Sequence, residues 1–164
     1  MPISATGNNK LARDAGVTLV EALMALMVVG MMAGAVILLA PGPDWKTRQE
    51  AQRMAARAVM ASEESIVVNR TTALVVTSDG YGFERLEENG WAPADARSPL
   101  GFRAWPEGLD VRVEQSASGE GDDRVARFDA LGGATPARIV LAGAGARWRV
   151  AIDGQGGVNV ERAD

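Results

Sequence analysis

The stretch Gly16-Val17-Thr18-Leu19-Val20-Glu21 opens an apolar run that reaches Ala40 without another charged residue. A helix over residues 17–40 would be about 36 Å long, enough to cross a bilayer core of roughly 30 Å. The run therefore predicts a transmembrane helix over residues 17–40. Glu21 stands out, because a carboxylate in the apolar part of a spanning helix costs about 2.5–3.5 kcal/mol. We expect Glu21 to have a partner and a function.

The residues just before the helix offer such a partner. Cleavage between Gly16 and Val17 would create an α-amine with a pKa of about 7.7–8.0, one helical turn from Glu21. The amine of a second subunit, shifted along the same axis, could pair with this carboxylate and neutralise both charges away from water. One such pair would set the register of an assembly.

Two other interpretations of the run remain open. An ordinary cleavable signal peptide has a shorter apolar region of about 7–15 residues, and a plain single-pass anchor would leave Glu21 without a role. Within the run, Gly30 and Gly34 form a G-x-x-x-G pair, a spacing that lets helices approach closely in lipid. The same glycines could also be ordinary small residues of an alanine-rich helix.

The hexapeptide from Gly16 to Glu21, followed by an uninterrupted apolar helix, resembles the class III signal of type IV pilins and type II secretion pseudopilins. The resemblance implies that residues 1–16 are a leader, which a prepilin peptidase removes after Gly16. It also implies methylation of the new N-terminus at Val17, where these families usually have phenylalanine or methionine. Glu21, the fifth mature residue, would then act in assembly.

Composition limits the chemistry of the chain. Its 164 residues fit one domain plus an anchor, and its formal net charge is −4. It has no cysteine and no histidine, which removes thiol nucleophiles, the usual catalytic triads and the commonest metal ligands. We therefore expect a protein that is not an enzyme and has no catalytic residue, cofactor or metal site. The acidic balance also argues against a nucleic-acid partner.

The rest of the chain predicts a helix followed by strands. Pro41-Gly42-Pro43 interrupts the helical hydrogen bonds, and residues 44–68 have the apolar spacing of an amphipathic helix. Short β-branched and aromatic runs then predict a β-rich domain over residues 70–164. The fold class is α+β, a long N-terminal helix that spans the membrane in its first half, followed by an antiparallel β-sandwich-like domain. The predicted strands are 73–77, 81–86, 109–115, 125–129, 138–141, 146–152 and 158–161, with long loops over 87–106 and 116–123.

Segments of this β-rich part are similar to the successive segments of the GspH/FimT-type domain. They are residues 81–83 with Trp91, and residues 105–111, 127–141 and 148–158. The resemblance implies a minor pseudopilin of type II secretion, which assembles through its N-terminal helix and helps to export folded proteins across the outer membrane. The implied partners are the prepilin peptidase, other major and minor pseudopilins, the inner-membrane assembly platform and membrane lipid. The implied location is the inner membrane, with the globular domain in the periplasm, and then the pseudopilus.

Two other functions remain open. A FimT-like minor pilin of a type IV pilus or DNA-uptake machine would have the same architecture, and its DNA-binding members would call for a basic strip. A membrane-tethered periplasmic hydrolase would have to work without histidine or cysteine.

Replacing the glycine of the processing site tests the signal. Gly16→Ala should leave the chain at precursor size, because peptidases of this class need the glycine. The native chain should be shorter, and N-terminal sequencing of its mature form should begin at Val17. A native chain that is cut at another bond would contradict the assignment.

Overall fold

The computed structural model describes residues 19–39, 42, 44–116 and 122–163. The chain divides after Pro41 into two compact units. The first contains helix α1 (Leu19–Leu39), and the second contains helix α2 (Trp45–Val68) and the strands. The predicted leader and Val17 lie outside the described residues.

Helix α1 covers most of the predicted transmembrane segment, with Glu21 in its first turn. Over residues 19–32 its large apolar side chains are exposed, among them Leu23 and Met27. No helix within the described part of the chain meets the length and hydropathy of a membrane span. The predicted span over residues 17–40 includes residues beyond that part and stays a prediction.

Helix α2 forms where the sequence predicts an amphipathic helix. Its buried stripe is rich in small residues, with Ala51, Ala58 and Ala61 fully inaccessible to solvent. Small side chains let the helix lie close to the strands that it covers. The helix ends at Asn69, which adopts the left-handed conformation (φ 51°, ψ 47°) that asparagine tolerates better than most residues.

Within residues 69–116 and 122–163, nine strands follow α2, and every pairing among them is antiparallel. The first sheet has the order β3-β2-β1-β6, with β4 also paired to β2, and the second has the order β5-β7-β8-β9. The antiparallel α+β fold is therefore confirmed. The strands are β1 (Thr72–Val76), β2 (Gly80–Glu87), β3 (Gly90–Pro93), β4 (Arg103–Ala104), β5 (Asp110–Gln115), β6 (Arg124–Phe128), β7 (Ala137–Gly143), β8 (Ala146–Ile152) and β9 (Val158–Ala163).

The predicted loop over residues 87–106 was wrong in part, because β3 and β4 lie within it. Both strands are short, and neither carries the alternating pattern that reveals longer strands. They pair with the same edge of β2, at Glu84–Glu87 and at Gly80–Tyr81. The other predicted loop, 116–123, is also tied to the sheet at its end, since the Asp123 carbonyl accepts a hydrogen bond from the Val76 N–H (2.9 Å).

One hydrophobic core joins α2 to both sheets. The first sheet contributes the aromatic side chains of Tyr81, Phe83 and Phe128. The second contributes aliphatic side chains such as Ile139 and Val150. Because successive strand residues face opposite sides, each sheet presents one apolar face to this core.

Two methionines of α2 offer a matched test of the core. Met54 is fully buried, whereas Met60 is 48% exposed. Met54→Ala should lower the free energy of unfolding by about 2–5 kcal/mol, since it leaves a cavity. Met60→Ala should change it by less than about 0.5 kcal/mol. Urea unfolding of both variants measures the difference, and equal losses would place the core elsewhere.

Candidate functional site

The predicted assembly residues of α1 lie on an open helical surface. Glu21 is exposed and has no ion-pair partner among the described residues. A Cβ atom added at Gly30 or Gly34 would meet nothing within 4 Å. These three positions are thus free to contact another molecule, but nothing in the fold tests their roles. The cleavage site at Gly16 and Val17 lies outside the described residues.

A different polar site, absent from the sequence predictions, lies where α2 meets the first sheet. Its centre is the Glu50 carboxylate, which is only 2% exposed. Glu50 accepts hydrogen bonds from Arg103 Nε at 2.8 Å and from the Tyr81 hydroxyl at 3.1 Å. Arg53 Nη1 donates to Glu50 Oε2 at 2.7 Å. One buried carboxylate thereby joins the helix, strand β2 and strand β4.

Arg57, two turns along α2 from Glu50, extends this cluster. Its Nε donates to the Pro99 carbonyl at 2.7 Å, and its Nη2 donates to the Gly101 carbonyl. The guanidinium lies 4.7 Å from the centroid of the Tyr81 ring and 5.5 Å from that of Phe83. Arg57 is 8% exposed, and a buried guanidinium is tolerated because carbonyls and aromatic faces replace its water.

The protonation states in the cluster follow from these contacts. Burial alone would raise the pKa of the Glu50 carboxyl, but hydrogen bonds from Arg103 and Tyr81 and the nearby positive charges outweigh it and hold that pKa below its ordinary value. Burial is the main reason that the pKa of Tyr81 rises to about 12. At neutral pH the cluster therefore contains a carboxylate, three guanidinium groups and a neutral phenol.

The sequence contained one signal for this cluster. Glu50 and Arg57 share the buried face of α2 with Met54 and Ala61, so two charged residues interrupt an apolar stripe at helical spacing. Charged residues at such positions require partners. The partners themselves were not visible, because Arg103 lies 53 residues away in the chain.

Comparison with known proteins identifies the family. The family model described as type II transport protein GspH matches residues 50–156, well over half of the chain. The chain belongs to the GspH family. The matched segment begins at Glu50 and includes Arg57, Tyr81 and Arg103, whereas α1 with Glu21 precedes it. No curated protein matches the sequence significantly.

Solved structures have the same fold as this GspH-family chain. A structure of the minor pseudopilin EpsH from the type 2 secretion system of Vibrio cholerae has a TM-score of 0.61 and 18% identity, and the match covers 71% of this chain and 97% of that one. The solution structure of E. coli GspH has a TM-score of 0.60 and 17% identity, with coverage of 76% and 96%. At such identities the similarity concerns the fold alone.

Removing the central carboxylate tests the cluster. Glu50→Gln should lower the free energy of unfolding by about 2–3 kcal/mol at pH 7, because it leaves Arg103 and Arg53 without their counter-charge. The folded-state pKa of Glu50 lies below its value in the unfolded chain. Its stabilisation is therefore complete above that value and is lost as the pH falls through the folded-state pKa.

The difference in the free energy of unfolding between Glu50→Gln and the native chain should accordingly become smaller in acid. Urea unfolding at several pH values from 7 downward measures it. Glu88→Gln, at an exposed position, is the matched control and should have little effect at any pH. If the loss of unfolding free energy in Glu50→Gln stayed constant with pH, this would contradict the ionised, paired state of the Glu50 carboxyl.

Proposed function

We propose that this protein is a minor pseudopilin subunit of a type II secretion pseudopilus and has no catalytic role. The observation that carries the proposal is the GspH family match over residues 50–156. The prepilin-like signal from Gly16 to Glu21 supports it independently, because it lies outside the matched segment. Two separate parts of the chain thus indicate the same class of protein.

The proposed assembly step uses α1. After the prepilin peptidase frees and methylates Val17, the Glu21 carboxylate of this subunit pairs with an N-terminal amine in the pseudopilus. The open surface at Gly30 and Gly34 gives neighbouring helices room to approach. The apolar side chains of α1 contact lipid before assembly and other pseudopilins afterwards, and those of residues 19–32 are exposed in the isolated chain.

The proposed location follows from the same helix. Residues 17–40 anchor the chain in the inner membrane, the domain after Gly42 lies in the periplasm, and the inner-membrane assembly platform moves the subunit into the pseudopilus. There it helps to move folded proteins toward the outer membrane. These steps rest on the apolar run and on the family.

The alternative of a DNA-binding FimT-like pilin finds less support. On the outer face of the second sheet, Arg149 pairs with Glu114 (3.2 Å) and Glu161 (2.9 Å). Arg112 pairs with Asp110 at 3.1 Å. Arginines that already face carboxylates form a mixed surface, not the basic strip that the phosphate backbone selects.

Complementation of a strain that lacks this chain tests the proposal. Glu21→Ala should insert in the membrane at least as well as the native chain, since it removes a buried charge, but should restore little secretion. Glu88→Ala, a change at an exposed loop residue, should restore secretion fully. The measurement is the amount of secreted protein in the medium, with membrane fractionation as the control.

A strain that secretes normally without this chain would contradict the proposed function. Normal secretion with Glu21→Ala, in a strain that requires the native chain, would remove Glu21 from the mechanism.

A further inference from the structure

Phe102 is an exposed aromatic residue on a firmly held segment. Its side chain is 61% exposed, although Leu100, two residues before it, is only 2% exposed. Arg57 binds the carbonyls of Pro99 and Gly101 on one side, and Glu50 binds Arg103 on the other. Buried charged groups thus hold the backbone before this exposed aromatic ring and the side chain of the residue after it. Aromatic residues, including phenylalanine, are enriched in protein interfaces relative to the rest of the surface.

An apolar cleft of about 480 Å³ lies beside this ring. Its lining includes Phe102, Gly82, Val75, Pro93 and Ala94. A Cβ atom at Gly82 would lie 3.1 Å from Phe102 Cα, so glycine lets the loop approach the strand closely. The cleft is large enough for an apolar side chain of another molecule.

Positive charge lies on the other side of Phe102. A second, more open pocket of about 270 Å³ is lined by Phe102, Arg53, Arg57 and Arg103. Arg53 and Arg103 are 38% and 40% exposed, and each uses only some of its N–H groups on Glu50.

The acids around Phe102 leave this positive charge in excess. Within the described residues, Glu50 is the only carboxylate paired with Arg53 and Arg103, and Arg57 binds carbonyl groups instead, so one carboxylate faces three positive charges there. On the cleft side, Glu84 pairs with Arg124 at 2.7 Å, whereas Asp95 Oδ1 accepts a hydrogen bond from the backbone N–H of Arg97 at 2.8 Å, which does not neutralise its charge. The charge near Phe102 therefore favours an acidic partner.

We propose that this Phe102 surface, formed by the apolar cleft and by Arg53 and Arg103, binds an extended segment of another pilin-like subunit. The segment carries a carboxylate next to an apolar side chain. The apolar side chain enters the cleft against Phe102, and the carboxylate accepts hydrogen bonds from N–H groups that Glu50 leaves free. This inference rests on the proposed function, since it identifies a partner contact of a pseudopilin.

Photo-crosslinking of the full-length chain in its native host tests the contact. Benzoylphenylalanine replaces Phe102 in one strain and Leu131, which is 96% exposed, in a matched control. The expected product joins position 102, but not position 131, to a segment of another pilin-like subunit that has an aspartate or glutamate beside an apolar residue. Equal crosslinking at the two positions would overturn the proposal, as would a product with lipid, with a second copy of this chain or with a segment that lacks an acid.

Substitutions then measure the contributions of the two halves of the site. Phe102→Asp should weaken binding to the crosslinked subunit by about tenfold or more, the effect of losing an interface hot spot. Arg53→Gln should weaken binding as much as replacing the partner's acid by its amide does. Both changes together should weaken binding only slightly more than either change alone. Leu131→Asp and Arg147→Gln, both at exposed positions, are the controls and should bind normally.

Thermal melting separates a binding defect from misfolding. Phe102→Asp should melt near the native temperature, because its side chain is mostly exposed. Native binding by a folded Phe102→Asp chain would overturn the inference. That result would leave the proposed function intact if secretion still required the native chain, whereas secretion without the chain would contradict the proposed function itself.

Discussion

The pairing of the buried Glu50 carboxylate with Arg103, Arg53 and Tyr81 is the constraint on which the helix–sheet junction depends. Small residues of α2 bring the helix close to the sheets, but apolar packing is non-directional. A buried carboxylate is directional, because each oxygen must find donors at hydrogen-bonding distance. Glu50 therefore fixes how the helix meets strands β2 and β4, and a replacement by an apolar residue would lose that specificity.

The same cluster connects stability to the proposed interaction. Arg57 holds the carbonyls of Pro99 and Gly101, and Glu50 holds Arg103. Between these anchors the chain presents Phe102 to solvent. Side-chain and loop ordering is a large part of the cost of binding, and here the folding of the domain has already ordered the loop. A surface prepared in this way can bind a partner with little further loss of entropy.

Helix α1 and the domain after Gly42 have different roles in the proposed function. The helix carries Glu21 and most of the apolar run, and the predicted processing site precedes it. The domain carries the GspH match and the Phe102 surface. In the proposed function, α1 places the subunit in the assembly, and the Phe102 surface selects its neighbours.

The sequence alone determined the two helices, the longer strands, the α+β class and the family resemblance, because periodicity and short motifs are local properties. It predicted Glu21, Gly30 and Gly34 as assembly residues, and those roles remain predictions. Only the tertiary structure decided that β3 and β4 pair with β2, that Glu50 is buried and that Phe102 is exposed. Those features join residues that are far apart in the chain, such as Glu50 and Arg103, and no local pattern encodes which distant partner will compensate a buried charge.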